Sequence, residues 1–107
     1  MKQYEHPELD SVDIANVLQA LADPCRLQIV RHLLESPEQE FACNEFPIEG
    51  AKATRSHHFQ ILRGAGIIRT RVDGTKCMTS LRREELDQRF PGLVAFLTQS
   101  AASPASV

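Results

Sequence analysis

A chain of 107 residues that is 42% hydrophobic, 24% charged and 6% aromatic is one ordinary globular domain, which excludes a two-domain, a disordered and a fibrous protein. A formal net charge of −2 and a pI near 6.1 exclude indiscriminate attraction to polyanions. No cationic segment followed by an apolar run opens the chain, and the apolar stretch at 93–97 is far below membrane-spanning length, so a cytoplasmic location without membrane contact is expected.

Residues 1–10 read as an N-terminal arm. Over 11–22, Val12, Ile14, Ala15, Val17, Leu18 and Leu21 recur at three- and four-residue intervals and predict a first helix. Asp23 then offers a capping carboxylate and Pro24 a first helical position that needs no N–H. Leu27, Val30, Leu33 and Leu34 carry the second helix to about residue 35. Residues 41–46, closed off by Pro47, have room for at most a short third helix. A fourth runs over 51–65, with Gly66 placed to end it in a left-handed conformation. Residues 67–72 and 75–81 read as strands about an Asp73-Gly74 turn. A helix over 82–89, a break at Phe90-Pro91-Gly92 and a last apolar helix complete a domain over 11–99, and the small-residue tail 100–107 is expected to fray. The fold class is mainly α with a β-hairpin wing, a winged helix-turn-helix.

The small net charge hides a segregation. Residues 1–51 carry 3 basic and 10 acidic side chains, whereas 52–83 carry 8 basic ones against Asp73 alone. Such a local basic block is the footprint of a protein that lays one face on phosphates, unless counter-charges fold beside it. Around the fourth helix, Phe59, Leu62, Ala65, Ile61 and His58 fall on one side, which is the core side. Ala53, Ser56, His57, Gln60 and Gly64 fall on the other. Short and amide side chains there suit close approach to base edges, and Lys52 and Arg63 at the rim suit phosphate. Lys52, Ala53, Thr54, Ser56, His57, Gln60 and Arg63 are therefore the expected DNA contacts on this helix. Arg69, Arg71 and Lys76 are those of the wing, with Arg69 and Arg71 on one strand face. Arg55 lies in the inward arc, where its stem packs, and His58 reads as a hydrogen-bonded inward histidine.

The run Ala20-Leu21-Ala22-Asp23-Pro24-Cys25-Arg26-Leu27-Gln28-Ile29-Val30, followed by Ser56-His57-His58-Phe59-Gln60-Ile61-Leu62-Arg63-Gly64-Ala65-Gly66-Ile67-Ile68, resembles the ArsR/SmtB family of bacterial repressors. Over about residues 12–90 the resemblance implies a homodimeric regulator that reads a palindromic site in double-stranded DNA and is released by an inducer. It also implies dimerisation through the terminal helices, here Val12, Val17 and Leu21 in the first and Leu93, Phe96 and Leu97 in the last.

Metal-sensing members of the family use a C-x-C pattern on the third helix or Asp and His ligands on the last helices. Here Ala42 and Asn44 flank Cys43, and the four histidines, His6, His32, His57 and His58, all lie outside the last helices. No metal and no cofactor is expected. The three cysteines form no C-x-x-C pair and are the thiol-sensor candidates. Cys25 stands near a helix N-terminus beside Arg26, where thiolate is favoured; Cys43 stands shortly before the reading helix and Cys77 on the wing. A redox, thiol or small-molecule inducer fits this pattern. An arsenite-type site from the scattered cysteines, a winged-helix module docking on an acidic protein, and an enzyme using Cys25 or Cys43 as nucleophile are the competing readings. The last lacks a phosphate loop, paired carboxylates or a nucleophile elbow.

Overall fold

A computed structural model describes residues 4–36 and 38–102. A single 3₁₀ turn at Leu9–Ser11 precedes α1 (Ile14–Leu21) and α2 (Pro24–Glu35). A two-residue strand β1 (Phe41–Ala42) and a 3₁₀ turn at Cys43–Glu45 lead to α3 (Lys52–Gly64), and β2 (Ile68–Asp73), β3 (Lys76–Leu81), α4 (Arg83–Arg89) and α5 (Leu93–Ala102) follow. The strands form one antiparallel sheet in the order β1-β3-β2, with α2 and α3 packed against it. This is the winged helix-turn-helix that the element order predicts.

Both early helices start on aspartates. The Asp13 carboxylate accepts from the Ala15 amide at 3.2 Å, and Asp23 Oδ1 accepts from the amides of Cys25 at 2.8 Å and Arg26 at 3.1 Å, with Pro24 in the first turn. Arg26 then binds the end of α1, donating from Nε to Ala20 O at 2.7 Å and from Nη2 to Gln19 O at 3.3 Å. One Asp-Pro-x-Arg run thus begins one helix and satisfies the orphan carbonyls of the preceding one.

Residues 41–46 depart from the expected short helix. Phe41 pairs with Thr79 and Ala42 with Met78, and only Cys43–Glu45 coil, before Pro47 ends the turn. Aromatic packing does the work of the missing helix: His32, Phe41, Phe46 and Phe59 stack in a chain with centroids 4.6–5.8 Å apart. Gln28 Nε2 also donates to Pro47 O at 2.8 Å, so α2 holds the loop that delivers α3.

The helix α3 ends as expected. Gly66 has φ +79°, and a side chain there would meet Val12 Cγ2 at 3.1 Å, so both conformation and space demand glycine. The hairpin turn lies one residue later than predicted: Asp73 pairs with Lys76, and the two-residue loop is Gly74-Thr75 with Gly74 at φ +63°. The helix α5 reaches Ala102, beyond the expected start of the tail, and 103–107 lie outside the described residues. The described part of the expected arm is packed: Leu9 is buried beside Val12, and His6 Nε2 accepts from the Thr70 amide on the edge of β2 at 2.9 Å. Buried Arg82 donates to Pro7 O, and Arg89 to Leu9 O and Val12 O, holding this segment down.

Candidate nucleic-acid interface

The helix α3 has two faces of different chemistry. Phe59 and Leu62 are buried in the core, while Lys52, Ala53, Thr54, Ser56, His57, Gln60 and Gly64 are exposed. The exposed set offers an amide, an imidazole, two hydroxyls and a cation with no bulky apolar side chain in the way, the surface profile that entry into a major groove requires. Arg63 is half-buried, its guanidinium 4.3 Å above the Tyr4 ring. Arg55 is half-buried as its inward position implied, and its Nε has no hydrogen-bond partner among the described residues.

The wing cations are differently placed. Arg69 and Arg71 share the solvent face of β2, as alternation predicts, but each holds a carboxylate. Arg71 donates from Nε and Nη2 to both oxygens of Glu40 at 2.7 and 2.6 Å, and Arg69 Nη2 donates to Glu85 at 2.9 Å. Arg71 accordingly holds the Glu40 carboxyl below the usual range, and Arg82 with Arg69 does the same to Glu85. Part of the basic block seen in the sequence is therefore neutralised by folding. Lys76 beside the turn is exposed, and no ion pair forms on it or on Lys52 among the described residues.

The thiols divide between two places. Cys43, in the 3₁₀ turn that follows β1, and Cys77, on β3, bring their thiols together, and Cys43 Sγ lies 3.4 Å from Thr79 Oγ1. Burial and the Cys77 thiol push the Cys43 thiol up to about 11. Cys77 also raises the Tyr4 hydroxyl by hydrogen bonding to it, so the pair touches the ring on which Arg63 rests. Cys25 stands apart from them with Asp23 and His58; the ligand atoms of these three lie within 4.8 Å of one another. The expectation of a thiolate-favouring site at Cys25 is corrected: burial and the Asp23 carboxylate raise its pKa, outweighing Arg26. His58 faces inward, its Nδ1 3.4 Å from Arg26 Nη1.

The expected dimer residues are also sorted by the fold. Val12, Val17 and Leu21 point into the protomer's own core, at 5%, 0% and 8% exposure, and leave little surface for a partner. The apolar side chains left outside are Ile14, Leu18 and Phe96, at 40%, 55% and 65%. Ile14 and Phe96 line one hollow with Phe90, Pro91 and half-buried Leu93; Leu97 is half-buried as well.

The chain is 36% identical over 85 residues to the HTH-type transcriptional regulator YceK of Bacillus subtilis, a match spanning 78% of this chain and 84% of that protein. Its fold matches the transcriptional repressor BigR from Xylella fastidiosa with TM-score 0.65 and 26% identity, covering 88% of this chain and 87% of that one. A structure of an ArsR family transcriptional regulator matches with TM-score 0.62 and 26% identity over 100% and 99% of the two chains. No protein-family model matches. These relatives are transcriptional regulators and not enzymes, and no helix among the described residues is long and apolar enough to cross a membrane. The chain belongs to the ArsR/SmtB family of helix-turn-helix transcriptional regulators.

Proposed function

We propose that the protein is a homodimeric repressor that reads an inverted repeat in duplex DNA and releases it when Cys43 and Cys77 are oxidised. The observation that carries the reading is the exposed face of α3, where Ser56, His57 and Gln60 stand clear of the core with Lys52 at the helix start. Gln60 pairs with adenine through its amide, Ser56 and His57 contact base edges or phosphate, and Lys52, Lys76 and Arg63 take phosphates. Two copies joined through Ile14, Leu18 and Phe96 would present two such helices to half-sites about one helical turn apart.

Neighbouring thiols favour a disulfide as the switch, because the Cys43 and Cys77 side chains already lie within hydrogen-bonding reach of each other. With hydrogen peroxide, the two thiols give up two electrons and two protons, and peroxide is reduced to two waters. The new bond removes the Cys77 thiol from Tyr4 and so disturbs the ring under Arg63 of α3. Since the Cys43 thiol is raised to about 11, oxidation is slow at neutral pH and accelerates as pH rises toward that value.

Selection of bound sequences from a randomised duplex pool tests the reading. The reduced protein is expected to enrich one inverted repeat and to lose it after peroxide treatment, and a Cys43→Ser, Cys77→Ser protein is expected to keep it. No enrichment at several salt concentrations sinks the DNA reading; enrichment indifferent to peroxide sinks the thiol switch alone. Duplexes of any sequence competing equally with an acidic protein would instead support the interaction-module reading.

A further inference from the structure

Asp23, Cys25 and His58 have separate explanations in the sequence: a helix cap, a thiol and an inward histidine. The fold brings them together, with their ligand atoms all within 4.8 Å of one another and all three side chains partly shielded from solvent. Both capping bonds to Asp23 fall on Oδ1, and no hydrogen bond among the described residues uses Oδ2. The cap therefore leaves one carboxylate oxygen for another partner.

We propose that Asp23, Cys25 and His58 form a binding site for one thiophilic divalent ion of the zinc class, joining the N-terminus of α2 to the inner side of α3. A carboxylate, a thiolate and an imidazole match the borderline character of such an ion, whereas magnesium and calcium take oxygen donors. Three protein ligands leave the fourth tetrahedral position to water. Carboxylate and thiolate together neutralise a dication, which makes the site tolerable beside the Arg26 guanidinium. Arg26 Nη1, 3.4 Å from His58 Nδ1, is the weak contact an ion replaces; Arg26 keeps its bonds to Ala20 O and Gln19 O. Because His58 belongs to α3, the helix that carries the residues assigned to bases, an ion held there ties that helix to the start of α2. The site stands independently of the Cys43–Cys77 switch.

The test uses the full chain with Cys43→Ser and Cys77→Ser, in which Cys25 is the sole remaining thiol. Titration with Co(II) under reducing conditions is expected to give one equivalent per chain and a near-ultraviolet thiolate-to-metal charge-transfer band, bleached by Zn(II). Adding Cys25→Ser should abolish the band, and adding His58→Gln should weaken binding at least tenfold. In the protein with Cys25 and His58 intact, Zn(II) is expected to shift the ring ¹⁵N resonances of His58 and not those of His32, a readout that needs no ligand variant to fold. Absence of the charge-transfer band, binding unchanged by His58→Gln, or His58 resonances that do not move would each overturn the proposal.

Discussion

The helix α3 and the wing both carry the cations of the basic block, yet the fold treats them in opposite ways. Lys52 forms no ion pair among the described residues, while Arg69 and Arg71 are each held by a glutamate from a distant part of the chain. The difference teaches that segregation of charge along a sequence is not segregation in space. Glu40 lies in the acidic half and Glu85 just beyond the basic window, and the antiparallel sheet and α4 bring both onto the wing. Of the cations assigned to DNA, those without a carboxylate partner among the described residues are Lys52 and Arg63 on α3 and Lys76 beside the hairpin turn.

Four substitutions, in three tests, break or sharpen this contrast. The largest effect is expected at the base-reading face: Gln60→Ala should lower affinity for the selected operator by about ten- to a hundredfold, about 1–3 kcal/mol, and leave random duplex unaffected. Competition titrations with both duplexes measure it, and equal losses on both would remove Gln60 from base reading. Next is Lys52→Ala, expected to weaken all duplexes several-fold and to lower the salt slope of log affinity by about one for each contacting copy. An unchanged slope would show that Lys52 does not meet phosphate. The smallest effect is a gain: Glu40→Gln releases Arg71 and should raise affinity for any duplex about twofold, whereas Arg71→Ala loses less than Lys52→Ala. Should Arg71→Ala prove the more damaging, the wing arginine leaves Glu40 for DNA, and the contrast holds only for the free protein.

A fourth expectation concerns stability. The Cys43 thiol is raised in the fold from 9.0 to about 11, so it contributes stability that is fully present below pH 9 and lost as pH rises through about 11. Denaturant midpoints under reducing conditions should fall across that window in the unmodified protein and lose this component in Cys43→Ala.

Local rules made most of the architecture legible. Asp23-Pro24 marked the start of α2, Gly66 the end of α3, and the 3.6-residue period separated Phe59 and Leu62 from Ser56 and Gln60. What escaped was set by partners far along the chain. Phe41 and Ala42 are a strand only because β3 lies beside them, so nothing in their own pattern distinguished them from a helical turn. In α1, Val17 and Leu21 form one apolar stripe and Ile14 and Leu18 another. A short helix with two adjacent stripes does not disclose which one the protomer keeps for itself. The Asp23, Cys25 and His58 cluster was hidden for a similar reason: its members come from two helices whose crossing the sequence does not state.

The bond between His6 and the Thr70 amide has a consequence for solubility. The strand β2 is an edge of the sheet, and an edge with free N–H groups is a template on which other chains pair and aggregate. An imidazole can mask such a group only while neutral. Burial, followed by Arg69, Arg82 and Arg63, lowers the His6 pKa and outweighs Glu85, so the mask is secure at neutral pH. Its contribution is present above His6's ordinary value near 6.5 and is lost as pH falls below that through the depressed one. Mild acid, or removal of the residues before Leu9, therefore turns a guarded sheet edge into a self-association site, visible as light scattering that grows with protein concentration.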